Sequence, residues 1–375
     1  MFFEISEKEQ KNFTKNYHLK DGIFLNLDSG WNVFNIGEKK LYFKGYISEK
    51  QPFETIINDI IKDPTPRFKG NFFLIICSDK KITLTNDKNR GTPVYYCKDS
   101  KVITNLSTKE GIWANNFCEL DYDFNITIKK FNPYNIIDKE LSYEQSIEKI
   151  YNIIANEFDI FLTKNKSPIK IFLSGGIDTL TLYSFLKKFT KNFELVDYEY
   201  KKWTHFYKHN WHEHIKKYWA YNQIHTWGEE PTTLITGACG DEYMLRGPAT
   251  IKYLIDYYDI DFISLLKKNK DCYHYDYFMK EKNIDIFKQE KKVFAHKKDM
   301  IFYILNILIN DHQHWHLDNT TCFTPFKNIE LPNIVMNLEK DILIEQMLDA
   351  KINKDLILKN NPDDLRLLSK YKNKF

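Results

Sequence analysis

Residues 171 to 179 read Ile171-Phe172-Leu173-Ser174-Gly175-Gly176-Ile177-Asp178-Thr179. An apolar run ends in a hydroxyl, two glycines, an acid and a second hydroxyl. Glycines let a backbone turn tightly and approach an anion with no Cβ in the way. If a helix follows, its first N–H groups point at that anion, and its dipole favours negative charge there. Ser174 and Thr179 add hydroxyl donors. Asp178 repels bare phosphate, so it makes sense when a divalent cation bridges it to the phosphate. The lysine of the G-x-x-x-x-G-K-[ST] pattern is missing, so this is not a Walker A loop.

A second stretch, Leu234-Ile235-Thr236-Gly237-Ala238-Cys239-Gly240-Asp241-Glu242, again runs from an apolar strand into a glycine-bearing loop with acids. Ligands of parallel sheets sit beyond the carboxyl ends of the strands. Two such loops meet over one ligand, with Asp178 and Asp241 as paired carboxylates for Mg²⁺ on a pyrophosphate. Histidines cluster at His205, His209, His212 and His214, and again at His312, His314 and His316. The second group alternates, which on a strand puts three imidazoles on one face. It reads as the wall of a polar substrate pocket, with a metal site as the alternative.

The elements that must position these loops follow from pattern. Strands are predicted over 169–173, 193–198 and 232–236, and an amphipathic helix over 179–191. Strands alternating with helices imply a parallel sheet with helices on both faces. Ser142, with Glu144 and Gln145 behind it, starts a helix whose buried stripe is Ile147, Ile150, Tyr151, Ile154 and Phe158. Residues 241–375 are mostly helical by pattern. Before about residue 140 the texture is β-rich: strands over 23–27, 33–36, 40–46, 71–77, 82–86 and 94–97, and one helix over 53–61. The segment 131–139, with Pro133, reads as a linker. The division is therefore 1–140 and 141–375.

Composition excludes several classes. The chain has 375 residues, 43% hydrophobic and 28% charged, which is ordinary for a globular protein. A net charge of +3 is too small to argue for nucleic-acid or membrane binding. Six cysteines form no C-x-x-C pair, so no disulfide framework or structural zinc is indicated. No apolar run approaches membrane-spanning length, and the first ten residues form no signal peptide, so a cytoplasmic location is expected.

The Ser174–Thr179 loop resembles the PP-loop of the N-type ATP pyrophosphatases, which cleave ATP between the α and β phosphates. The Gly237–Glu242 stretch is similar to the S-G-E-G-A-D-E element of the asparagine synthetase family, including β-lactam synthetases. Here Ala238 replaces the family's first Glu, and Cys239 its second Gly. Residues Phe323-Thr324-Pro325-Phe326-Lys327-Asn328 resemble its R-x-P-F-L-D segment, with Phe323 and Asn328 at the Arg and Asp positions. Upstream, Phe68–Ile76 and Asn86–Tyr96 resemble the L-x-G-x-F-A-F strand and R-D-x-x-G-x-x-P-L-Y-Y turn of its glutaminase domain. That domain needs a Cys exposed by removal of Met1, but position 2 is Phe2, and no Cys precedes Cys77.

The resemblance implies an αββα glutaminase-like domain without glutaminase activity, followed by a PP-loop domain with a helical extension. It implies ATP and Mg²⁺ as cofactors, with Asp178 and Asp241 on the metal. Leu173, Ser174, Gly175, Gly176, Asp178, Thr179, Gly237 and Gly240 line the nucleotide site. Lys370, or Lys372, neutralises the departing pyrophosphate; otherwise this segment is a solvated basic tail. The reaction implied is adenylation of a small carboxylate, such as aspartate or an analogue, and its transfer to ammonia or a substrate amine. A homodimer fits the family. Cyclisation of a small molecule or peptide, a PP-loop nucleobase modifier, and a catalytically silent regulatory homologue stay open as alternatives.

Overall fold

The computed structural model of the protein describes residues 3–88, 92, 94–97, 99–105, 111–112, 116–132, 134–137, 139, 141–173, 176–196, 231–311 and 320–372. The first part of the chain forms strands β1 (Phe3–Ser6), β2 (Lys15–His18), β3 (Phe24–Leu27), β4 (Asn32–Ile36) and β5 (Lys39–Ile47), then helix α1 (Phe53–Lys62). Strands β6 (Gly70–Cys77), β7 (Lys81–Asn86), β8 (Val94–Cys97), β9 (Val102–Thr104), β10 (Gly111–Ile112), β11 (Asn116–Asp121) and β12 (Ile126–Lys130) follow. They make two six-stranded antiparallel sheets, ordered β10-β8-β9-β1-β3-β2 and β12-β11-β7-β6-β5-β4.

Alternation decides how the sheets stack. Successive side chains of a strand point to opposite faces. Along β6, Phe73 and Ile75 join Phe3, Ile5, Leu25, Leu27 and Ile103 in a core between the sheets. Phe72, Leu74 and Ile76 point the other way, onto Ile56, Ile57 and Ile60 of α1. Strand β6 is a continuous apolar run because both of its faces are covered. The order of layers is helix, sheet, sheet. Helix α1 is the one helix described before residue 141, so the second helical layer of an αββα stack is not found among the described residues. The outer face of the β1 sheet carries Ser6, Asn26 and Thr104, whose polar atoms are hydrogen-bonded locally. These three side chains are nonetheless buried, and Asn26 also accepts from the Gln10 N–H of the β1–β2 connection at 3.1 Å.

The second part begins with α2 (Tyr143–Lys164), where Ser142 accepts a hydrogen bond from the backbone N–H of Gln145 at 3.3 Å, as the capping pattern predicts. Strand β13 (Ile169–Phe172), helix α3 (Ile177–Phe189), strand β14 (Glu194–Val196) and strand β15 (Thr232–Ile235) come next. Helices α4 (Gly240–Tyr243), α5 (Pro248–Tyr258), α6 (Phe262–Lys268), α7 (Tyr275–Phe278), α8 (Glu281–Lys288) and α9 (Lys297–Asp311) lead to strand β16 (Thr320–Phe323). The described chain closes with α10 (Glu330–Val335), α11 (Lys340–Asp349), α12 (Lys351–Asn360) and α13 (Leu365–Lys372). The four strands form a wholly parallel sheet ordered β14-β13-β15-β16. Its core gathers Ile171, Ile235 and Phe323 from the strands with Ile154, Phe158, Leu182 and Phe185 from α2 and α3. Sequence pattern anticipated three of its strands but read 241–375 as mostly helical, with no strand at 320–323. No described helix is long and apolar enough to cross a membrane.

The two parts meet on an aromatic and polar seam. Tyr46 of β5 lies edge-on to Phe161, 5.0 Å between centroids, and 5.3 Å from Phe323. Lys327 is buried and donates to Asn71 of β6 at 2.7 Å. Lys69 pairs with Glu330 at 2.8 Å. Glu157 of α2, also buried, accepts from the Asn328 amide at 3.0 Å. Burial pushes the Glu157 carboxyl up from its ordinary 4.5 to about 7.

The raised Glu157 pKa sets a pH dependence of known sign. The folded state holds this proton more tightly than the unfolded state. Stability from this group is full below about pH 4.5 and is lost as pH rises towards 7. Glu157→Gln removes the effect. Urea unfolding at pH 5 and pH 8 should show the Gln variant gaining on wild type by about 2–3 kcal/mol over that interval. Parallel pH profiles for the two proteins would reject the assignment.

Candidate functional site

Topology places the site. From β13 the chain crosses through α3 to β14 on one side, and β15 then lies on the other side of β13. The strand order therefore reverses between β13 and β15. Ligands of open parallel sheets bind beyond the strand ends at such a reversal. The segment leaving β13 carries Leu173 and Gly176 into α3, and the segment leaving β15 carries Gly237 to Asp241 into α4.

These two segments are in direct contact. A Cβ added to Gly240 would lie 2.3 Å from Cγ of Asp178 and 2.5 Å from its Oδ1. One added to Gly237 would lie 2.8 Å from the backbone nitrogen of Thr179. Both glycines are thus required for the close approach of the loops. Between them, Cys239 adopts a left-handed backbone with φ of 66°, a conformation that glycine adopts at lower cost. The loop is tied to the next strand as well: Thr236 N–H donates to the Phe323 carbonyl at 3.1 Å, and the Thr324 hydroxyl to the Ala238 carbonyl at 2.9 Å.

Asp178 sits in the first turn of α3 with 15% of its side chain exposed, and Asp241 at 39%. A residue that pattern reading overlooked joins them. Arg246, fully buried, donates through Nη2 to Oδ1 of Asp178, and its Nη1 forms an ion pair with Oδ1 of Asp241 at 3.0 Å. Nη1 also lies 2.9 Å from Nε2 of His274. A guanidinium only donates, so His274 accepts at Nε2 and carries its proton on Nδ1. Asn353 donates to Oδ1 of Asp178 at 3.3 Å, and its own carbonyl accepts from Gln346 at 3.3 Å. Burial pushes the Asp178 carboxyl up to about 7, against the pull of Arg246, and raises Glu242 to about 7. Arg246 itself is driven upward by Asp178 and Asp241, against the desolvation of its charge, so it stays a cation.

The start of α3 is also occupied by the protein. The Ile177 N–H, one of the donors expected to face an anion, donates to the Tyr273 hydroxyl at 3.0 Å. The Thr179 hydroxyl donates to the Gly176 carbonyl at 3.0 Å. Burial raises the Tyr273 phenol to about 12, so it stays neutral.

Of the residues singled out from sequence, Gly176, Asp178, Thr179, Gly237, Gly240 and Asp241 are brought together here, with Leu173 at the end of β13. Ser174 and Gly175, both histidine clusters and the side chains of Lys370 and Lys372 lie outside the described residues. The segment bearing Lys370 is helical, and Leu368 of that helix packs with Ile177 and Leu180 of α3, so it is not a free tail. The expected magnesium pair is held differently: a guanidinium stands between the carboxylates. Among the described residues no three His, Cys, Asp or Glu side chains converge as metal ligands. Arg246, Tyr273, His274 and Asn353 carried no motif signal. Arg246 alone had a compositional one, as one of four arginines beside 50 lysines.

No family model and no curated protein matches the chain. Among solved structures, it is similar to an allosteric regulatory enzyme of purine biosynthesis, at 8% identity and a TM-score of 0.24, over 46% of this chain and 54% of that one. It is also similar to the glutamine phosphoribosylpyrophosphate amidotransferase of B. subtilis complexed with ADP and GMP, at 7% identity and 0.22, over 60% and 63%. The chain spans less than two thirds of either. Likeness of this size fixes neither fold nor activity.

The contact between the loops makes a steric prediction. Asp178 is pinned by Arg246 and Asn353, so it does not yield to a methyl group at position 240. Gly240→Ala should cost about 1–3 kcal/mol in denaturant unfolding. Gly247→Ala, whose new methyl group meets nothing nearer than 3.5 Å, is the control and should change stability by less than about 1 kcal/mol. Equal effects at the two positions would contradict the close packing.

Proposed function

We propose that the chain is an ATP-dependent ligase that adenylates a small carboxylate and passes the acyl group to ammonia or a substrate amine. One observation carries this reading: two glycine-bearing loops, each with an acid, meet beyond the carboxyl ends of β13 and β15 where the strand order reverses. That is where an open parallel sheet accepts a nucleotide.

In this reading the Ser174–Thr179 turn and the first N–H groups of α3 receive the phosphates. The substrate carboxylate attacks the α-phosphorus, and the bond to the β-phosphate oxygen breaks. Pyrophosphate leaves, and the amine then displaces AMP from the acyl-adenylate. Adenylation serves because a carboxylate oxygen is a poor leaving group until it carries a phosphoryl group. Magnesium enters as part of the substrate, Mg·ATP. For the Ile177 N–H to serve a phosphate, the Tyr273 hydroxyl must first release it. In this reading Lys370, on the helix that packs on α3 through Leu368, serves the pyrophosphate side.

Residues 1–140 act in this reading as a glutaminase-like domain with no glutaminase activity. Phe3 is fully buried, stacked on Phe73 at 4.8 Å and edge-on to Trp31 at 6.5 Å. An aromatic plug therefore fills the start of the first strand. The nitrogen comes from free ammonia or from an amine in the substrate.

A second reading, a silent regulatory homologue, is favoured by the way Arg246 and Tyr273 already satisfy Asp178, Asp241 and the start of α3. ATP–pyrophosphate exchange separates the two. With Mg·ATP and a panel of carboxylates including aspartate, wild type should exchange label with at least one acid. Asp178→Ala should lower that exchange by at least ~100-fold. No exchange with any acid would leave the silent reading standing.

A further inference from the structure

The geometry points to Arg246 as the resident cation of the Asp178–Asp241 pair: its guanidinium stands where a divalent metal would bridge the two carboxylates, and the pair takes no metal of its own. The facing oxygens, Oδ1 of each carboxylate, are both spent on this one side chain. Oδ1 of Asp178 also accepts from Asn353. Arg246 is fully buried and held from behind by His274. Gly240 lies against Asp178 closely enough to exclude even a methyl group, so no ion fits between Gly240 and that carboxylate. A second cation there would face a full positive charge a few ångströms away in a weakly screened interior. The third acid of the cluster, Glu242, has its Cγ only 3.5 Å from where a side chain on Gly247 would begin, and no set of three ligands is completed among the described residues.

Arginine suits this place better than lysine. A planar fork reaches two carboxylates at once and keeps its charge when desolvated. The inference concerns the same site as the nucleotide reading but does not depend on it. Divalent metal needed for adenylation arrives on the nucleotide.

The test uses Mn²⁺ alone, with the full chain and no nucleotide, read by the loss of the free-ion electron paramagnetic resonance signal and by thermal unfolding. Wild type should bind no Mn²⁺ that Asp178→Asn removes, and its melting temperature should not move with Mn²⁺. Arg246→Met uncovers the pair. It should bind one Mn²⁺ at least ~100-fold more tightly than wild type and melt higher in its presence. Adding Asp178→Asn to that variant should abolish both effects. If Arg246→Met does not fold, wild type against Asp178→Asn still decides. Mn²⁺ uptake by wild type that Asp178→Asn abolishes would overturn the inference, as would a folded Arg246→Met that takes up none. Because no nucleotide is present, these outcomes stand apart from success or failure of the pyrophosphate exchange.

Discussion

One buried guanidinium organises the second part of this protein. Arg246, in the turn after α4, ties the start of α3, through Asp178, to the first turn of α4, through Asp241, and both to His274 at the head of α7. Burying charges is expensive, and such a cluster is weak evidence for net stability. What it supplies is register. Removing Arg246 or Asp178 leaves the other buried without its partner, which typically costs about 3–5 kcal/mol. The backbone pays in conformation as well, since Cys239 and Leu245, on either side of Asp241, both take left-handed φ values.

Everything around the cluster serves that registration. Gly237 and Gly240 allow the two loops to touch. Asn353 and Gln346 extend the hydrogen-bonded chain from Asp178 to α11 and α12, and Gln346 continues to the Met244 carbonyl at 2.9 Å. Tyr273 links the start of α3 to Asp349, whose carboxylate accepts its backbone N–H at 3.0 Å. The helices after β15 are therefore part of the site's frame. The antiparallel part is attached through Tyr46, Lys69 and Lys327, at the edge where β16 and the Thr324 turn support the Gly237 loop. Lys327 and Glu157 of the seam are buried, and burial pushes the Lys327 pKa down as it pushes the Glu157 pKa up.

The secondary structure around the site was legible because local pattern carried it. The run before Leu173, the alternation along β5 and the Ser142 cap are set by neighbours within a few residues, and each element formed where its pattern lies. The short strands β1, β2, β9 and β10 were not legible. They span two to four residues and owe their existence to pairing with distant partners, such as Glu4 with Thr104. Strand β16 was hidden for the same reason: Thr320–Phe323 is a strand because β15 lies beside it.

Local pattern is enough to establish that two glycine-and-acid loops follow apolar strands, that a β-rich part precedes an alternating one, and that Asp178 and Asp241 are the acids of those loops. What faces those acids is set by the folded chain. Arg246 lies five positions beyond Asp241, and His274 and Asn353 lie far from both motifs, so no spacing rule links them. Their meeting follows from the reversal of strand order between β13 and β15 and from helices folding back over the strand ends. Chain topology set the distances between these charges, and distance together with burial decides which cation a carboxylate pair keeps.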